Sequence, residues 1–174
     1  MRVLSRLVVA VAVAATFASN SFAAKVQTPT ALLATVSGPV QFQAKGAGPW
    51  APGAANRPLE AGDVIKTGAD ASAVISFSDG SKVQISANST FSVEGLEPKR
   101  IGLKFDLGSL EAWVAKLRGR KFTVRTPTTV AAVRGTQFQL QVDALGQTTC
   151  NLFDGGLRLS NPMNQTVDVT AGQQ

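Results

Sequence analysis

The 174-residue sequence contains no histidine, no tyrosine and one cysteine, Cys150. Without histidine there is no Ser/His/Asp or Cys/His nucleophile system and no His-bearing metal site. One cysteine cannot close an intrachain disulfide. No Asp-x-Asp-x-Asp run offers the alternating oxygen ligands of a calcium loop. A glycosidase needs two carboxylates about 5 to 9.5 Å apart across a groove, and sequence neither supplies nor excludes such a pair. Neither a cofactor nor a metal is implied, and the expected protein is not an enzyme. Long apolar runs are also missing: beyond the first 23 residues nothing approaches the roughly 20 apolar residues of a membrane-crossing helix.

The N-terminus has the grammar of a secretory signal peptide. Arg2 and Arg6 precede a run from Leu7 to Ala18 dominated by Leu, Val and Ala, and Ser21-Phe22-Ala23 then sets small residues for a cut after Ala23. The expected location of the mature chain is periplasmic or secreted, with no membrane span. Removing residues 1–23 takes away two of the 17 basic and none of the 11 acidic side chains, so the net charge falls from +6 to +4. Export turns that basic excess away from nucleic acid and toward envelope proteins and anionic envelope polymers. In an oxidising compartment Cys150 is either a buried thiol or a site for an intermolecular bond; its strand-like neighbours Thr148, Asn151 and Leu152 favour burial.

All 16 glycines and all 8 prolines lie after residue 23, and in that part the longest stretch without either is Ser81 to Glu94. Long helices are excluded. Short segments of period-two alternation bounded by turn residues remain, the pattern of a single all-β domain arranged as a roll, a β-solenoid-like coil or a jelly roll.

Two hairpins allow their register to be worked out. A two-residue Asp79-Gly80 turn would set the apolar residues of Ala73–Phe77 and Lys82–Ile85 on opposite faces. A three-residue loop, Ser78-Asp79-Gly80 with Gly80 at positive φ, pairs Ile75 with Val83 and Ala73 with Ile85 instead. In the second hairpin, Val142 opposite Thr148 aligns Leu140 with Cys150 and Phe138 with Leu152, and leaves Gln137, Gln139 and Gln141 on a wet face. Leu157–Leu159 and Thr166–Val169 read as further strands. A turn glycine followed by a short strand recurs at Ser37–Phe42, Leu107–Ala112 and Asp154–Leu159. Residues 109–118 fit both periods: Leu110, Trp113, Val114 and Leu117 a helix, Leu110, Ala112 and Val114 a strand.

The Gly/Pro-rich stretch between Lys45 and Leu59 reads as a loop. Its Trp50 is either a plug over one end of the core or an exposed stacking platform for a ligand. Asp63, Asp70 and Asp79 sit at turns, where carboxylates accept nearby backbone N–H bonds. From Lys99 to Arg134, nine basic residues face only Asp106 and Glu111. With Lys116, Arg118, Arg120 and Lys121 at its centre, this third is either a salt-sensitive anion-binding surface or a solvated sheet edge that resists aggregation.

Leu59–Gly68, with Asp63 and Gly68, followed by Ala73–Ser81 with Asp79-Gly80, resembles the FecR-type domain. A more specific stretch is Phe122–Phe138, with its Thr126-Pro127 turn and its Val133-Arg134-Gly135-Thr136 core, closed by Ala171-Gly172-Gln173. The resemblance implies an all-β periplasmic module and makes the Trp113 segment a strand leading into Phe122. It divides the chain into a signal peptide (1–23), N-terminal strands with the Gly/Pro-rich loop (24–58) and a FecR-like domain (59–174). FecR regulators sense an outer-membrane siderophore receptor and pass the signal through a membrane helix to a cytoplasmic anti-sigma segment. Here a cleavable signal stands in place of those parts, so transmembrane signalling by this chain alone is not expected. Arg134, between apolar neighbours, is expected to clamp two turns through Asp63 or Asp79. The expected function is an exported binding module for an envelope protein or anionic polymer, with a glycan- or small-ligand-binding domain as the alternative.

Overall fold

The computed structural model describes Thr28, residues 30–116 and residues 119–171. The expected signal peptide, Arg118 and Gly172-Gln173 lie outside the described residues. The chain is all-β. In order, the strands are β1 (Ala31–Ser37), β2 (Val40–Gln43), β3 (Ala51–Pro52), β4 (Arg57–Leu59) and β5 (Val64–Thr67). There follow β6 (Ser72–Phe77), β7 (Lys82–Ile85), β8 (Thr90–Glu97), β9 (Arg100–Val114) and β10 (Lys121–Arg125). The last five are β11 (Val130–Val133), β12 (Thr136–Val142), β13 (Thr148–Asp154), β14 (Gly156–Ser160) and β15 (Thr166–Thr170). A 3₁₀ turn at Ala44–Gly46 follows β2. Among the described residues no helix is long and apolar enough to cross a membrane.

The sheet is organised around β9, whose two halves have different neighbours. Its first half lies between β8, antiparallel, and β10, parallel, with Arg100 opposite Lys121 and Lys104 opposite Arg125. Its second half lies between β7 and β12, both antiparallel. The change of partners occurs at Gly108, where φ is +102°. The alternation flips there too: Ile101, Leu103 and Phe105 are buried on one side of it, Leu110, Ala112 and Val114 on the other. A glycine read as one of three recurring turn glycines is therefore a bend inside one long strand, while Gly38 and Gly155 do sit between strands. The expected strand around Trp113 is present as the second half of β9.

Both derived registers are observed. Ile75 pairs with Val83 and Ala73 with Ile85, and Gly80, at φ +89°, closes the loop by donating to the Phe77 carbonyl at 3.0 Å. Val142 pairs with Thr148, Leu140 with Cys150 and Phe138 with Leu152. The apolar sides of these strands meet in one core that contains fully buried Phe91, Phe105 and Phe138. Phe77 of β6 meets Phe122 of β10 edge to face, with ring centroids 5.7 Å apart, a geometry that adds to their area burial.

The Gly/Pro-rich stretch differs from its reading as a plain loop. Ala51-Pro52 pairs with β2, and Arg57–Leu59 pairs with β1. Two or three residues suffice for each because they cap strands that would otherwise end the sheet. Pro52 is tolerated because β3 has only one neighbour, so its missing N–H breaks no second ladder. Since β1 pairs with β6 and β2 with β5, residues 31–58 belong to the same sheet as the FecR-like stretch.

Candidate functional site

Several loops converge where β9 ends and β10 begins. The Asp79 carboxylate, in the β6–β7 loop, accepts the Ser81 N–H at 2.9 Å and faces the Arg120 guanidinium at 3.4 Å. Ser81 Oγ accepts the Ala115 N–H at 3.1 Å, which ties the same loop to the exit of β9. Arg120 also donates to the Pro98 carbonyl at 3.2 Å, and Lys121 N–H to the Lys99 carbonyl at 2.9 Å. The β8–β9 turn is thereby drawn to the same place. On the opposite flank, Gly135 lies against the Lys116 side chain and Gly155 against the Gly135 carbonyl. Buried Thr136 donates its hydroxyl to the Gly156 carbonyl at 2.8 Å.

This junction frames an open groove of about 490 Å³ lined by Trp113, Lys116, Gly135, Gln137 and Asp154, with Gly80 at its rim. Trp113 is 36% exposed and stands between Lys82 of β7 and Gln137 of β12. Lys82, Lys99, Arg100, Lys116, Lys121 and Arg134 are all exposed, and none of them joins an ion pair among the described residues. Other basic groups have partners of a different kind: Arg125 meets Glu94 at 3.1 Å and Lys104 meets Asp106 at 2.9 Å, while Lys66 and Arg57, which join no ion pair among the described residues, lie over the rings of Trp50 and Phe42. Of the six, Lys116 lines the groove, Lys82 and Arg134 adjoin its lining residues Trp113 and Gly135, and Lys99, Arg100 and Lys121 stand where β9 and β10 begin. The groove has no pair of buried carboxylates, and among the described residues no group of three or more Cys, Asp or Glu is placed to hold a metal ion.

The residues singled out from sequence separate into several places. Asp79, Gly80, Lys116, Arg120, Lys121, Arg134, Gly135 and Thr136 belong to the junction. Thr126 and Pro127 sit at the other end of β10, where Thr126 Oγ1 lies 2.7 Å from Thr148 Oγ1 and Thr128 Oγ1 donates to the Gly146 carbonyl at 3.0 Å. Asp63 is buried in the turn before β5, its two oxygens accepting the Lys45 and Glu60 N–H groups at 3.0 and 2.8 Å. Gly68 follows β5, donating to the Pro39 carbonyl at 2.8 Å. Trp50 is half-buried with the Lys66 ammonium 4.5 Å from its ring centre, so one indole face is already occupied.

The clamp expected of Arg134 is made by Arg120 instead. Arg134 is exposed, because the alternation that buries Ala131 and Val133 turns it outward, and both proposed acceptors have other partners. Phe153, 53% exposed on β13, lies outside the motifs read from the sequence. Its signal was there: it follows Thr149 and Asn151 at outward positions, where an aromatic ring is out of place.

Cys150 is half-buried, and burial pushes its thiol from the ordinary 9.0 up to about 11. At a given pH near 8 the thiolate fraction falls about 100-fold, and the thiolate is the reactive form. Alkylation by iodoacetamide should therefore be slower by about that factor in the folded protein than in urea. Equal rates in a timed mass-spectrometric assay would refute the burial.

The FecR protein family matches residues 63–158, from the Asp63 turn to Arg158 in β14. Two crystal structures of a "putative anti-sigma factor" from Parabacteroides distasonis share the fold, at TM-score 0.56 and 15% identity, over 62% of this chain and 51% of theirs. The aligned part thus spans about half the length of those chains. A search of the curated proteins finds no match. The family match covers more than half of the sequence and contains the junction from Asp79 to Gly156, and the chain belongs to the FecR protein family.

Proposed function

We propose that the chain is an exported, non-catalytic sensor module of the FecR type that holds an anionic envelope partner, a protein or a polymer, at its basic end. The observation that carries this reading is the set of six exposed cations without ion-pair partners, from Lys82 to Arg134, at the junction where β9 ends and β10 begins, one of which lines a groove with an exposed indole. Arg2, Arg6 and the apolar run before Ala23 support export to the periplasm or beyond. Family membership supports a regulatory rather than a metabolic role. On this reading the signal reaches other components through the bound partner.

Screening decides the test. At 0.15 M salt the Debye length is about 8 Å, and at 1 M about 3 Å. Capture of partners from envelope extract by the mature protein should be strong at low salt and nearly absent at 1 M. The combined Lys99→Ala, Lys116→Ala and Lys121→Ala variant should lose most of the low-salt capture while melting as the parent does, since all three side chains are exposed. Capture that persists at 1 M salt and in this variant would assign binding to another surface.

A further inference from the structure

We infer that the partner of the groove is an acidic polysaccharide, stacked on Trp113 and running across the outward face of β9, β12 and β13. The inference rests on the basic-end reading above and names the class of its ligand. A sugar ring presents C–H groups on its faces and hydroxyls at its rim, so a site for it combines an aromatic platform with side chains that both donate and accept. This face has that composition. Gln137 pairs with Trp113, and Gln139 and Asn151 follow on the same face; Gln137 Nε2 donates to Glu111 Oε1 at 3.0 Å, and Asn151 Nδ2 to Gln139 Oε1 at 3.2 Å. Gln139 Nε2 donates to Ser109 Oγ at 3.3 Å. These bonds hold the amides in place, and each still has a donor hydrogen to spare, because a primary amide carries two.

A second ring extends the platform. Phe153 is exposed on β13, next to Asp154, which pairs with Gln137, itself the partner of Trp113. The strands that carry the two rings are separated by β12, about 10 Å, within reach of a short run of sugar units. Charge selects among sugars. Lys82 neighbours Trp113, Lys116 shares the groove, and Arg134 adjoins Gly135 in its lining. The carboxylates on this surface are Glu111, held by Gln137, and Asp154. Three cations against these two favour a chain carrying carboxylates or similar anionic groups over a neutral one.

Trp50→Phe leaves Trp113 as the sole tryptophan and its emission as the reporter. The probes are oligogalacturonides and hyaluronate oligosaccharides, with neutral cello-oligosaccharides and inorganic polyphosphate as comparisons. An acidic oligosaccharide should shift the emission saturably, and bind at least about tenfold more tightly than the neutral one, a difference of about 1.4 kcal/mol. Followed by calorimetry, Trp113→Ala should weaken it about tenfold and Trp113→Phe much less, with melting temperatures close to the parent's. If polyphosphate binds as tightly as the acidic sugars and Trp113→Ala binds them all normally, the sugar assignment is overturned while the basic-end reading stands. If no anionic probe binds and envelope capture resists salt, both fail.

Discussion

Gly108→Ala should destabilise the protein by about 3 to 5 kcal/mol, a large part of the roughly 5 to 15 kcal/mol that holds a domain of this size together. Two effects add. At φ +102° an L-residue is strained by about 1 to 3 kcal/mol. A Cβ at this position would also overlap Ser89, whose Cα would lie only 2.7 Å away. Ser89 cannot step aside. It is buried, donates its N–H to Thr67 Oγ1 at 2.9 Å, accepts the Thr67 N–H at 3.0 Å, and its Oγ accepts the Ser109 N–H at 3.2 Å. Overpacking such a site adds about 1 to 3 kcal/mol. Gly80→Ala is the control: φ is +89° there, but a Cβ would meet nothing within 4 Å, so only the conformational part remains, about 1 to 2 kcal/mol. Chemical denaturation of both variants measures the difference. Equal losses would mean that β9 does not bend against Ser89.

That bend also marks the boundary of what the sequence discloses. The β6–β7 and β12–β13 hairpins were legible because a two-residue period and a short loop leave only one register that keeps Ile75 with Val83, or Leu140 with Cys150, on the core side. The pairing of β9 with β10 was not, because parallel neighbours are joined by no tight turn, and nothing in Arg100 or Lys121 names the other as its partner. Gly108 looked like a turn because positive φ is all that a lone glycine signals, and the parity change from Phe105 to Leu110 shows its meaning only when the two halves of β9 have known neighbours. The groove was half legible. The basic residues stand out as a run, yet Trp113, Gln137 and Asp154 of its lining come from three strands and meet only through register. For Arg134 the alternation through buried Ala131 and Val133 points outward, and that period decides its position over its apolar sequence neighbours.

Arg120→Ala should lower stability by about 2 kcal/mol, and Arg134→Ala by no more than about 0.5 kcal/mol. The Asp79 side chain is 3% exposed and Arg120's is 19%, so removing the guanidinium leaves one carboxylate oxygen facing the junction with its charge unmatched, while the other keeps the Ser81 N–H. The penalty is held near 2 kcal/mol, below that for a fully buried pair, because Arg120 retains some contact with water. It corresponds to a fall in melting temperature of about 4 to 8 °C for a domain of this length. Asp79→Asn in the Arg120→Ala background should recover part of the loss, since a neutral amide does not need the cation, and the double-mutant cycle should show a coupling of at least about 1 kcal/mol. Arg120→Ala carries a further consequence for binding. The pair ties the β6–β7 loop to the entry of β10, and through the Pro98 carbonyl to the β8–β9 turn, so its loss frees the segments that carry Lys99, Lys116 and Lys121 relative to Trp113. Affinity for an anionic partner should then drop by more than the removal of one positive charge from the same end explains, with Lys121→Ala as the single-charge comparison. Equal drops in the two variants would show that the cations act as a diffuse field and that the junction does not hold them in register with the groove.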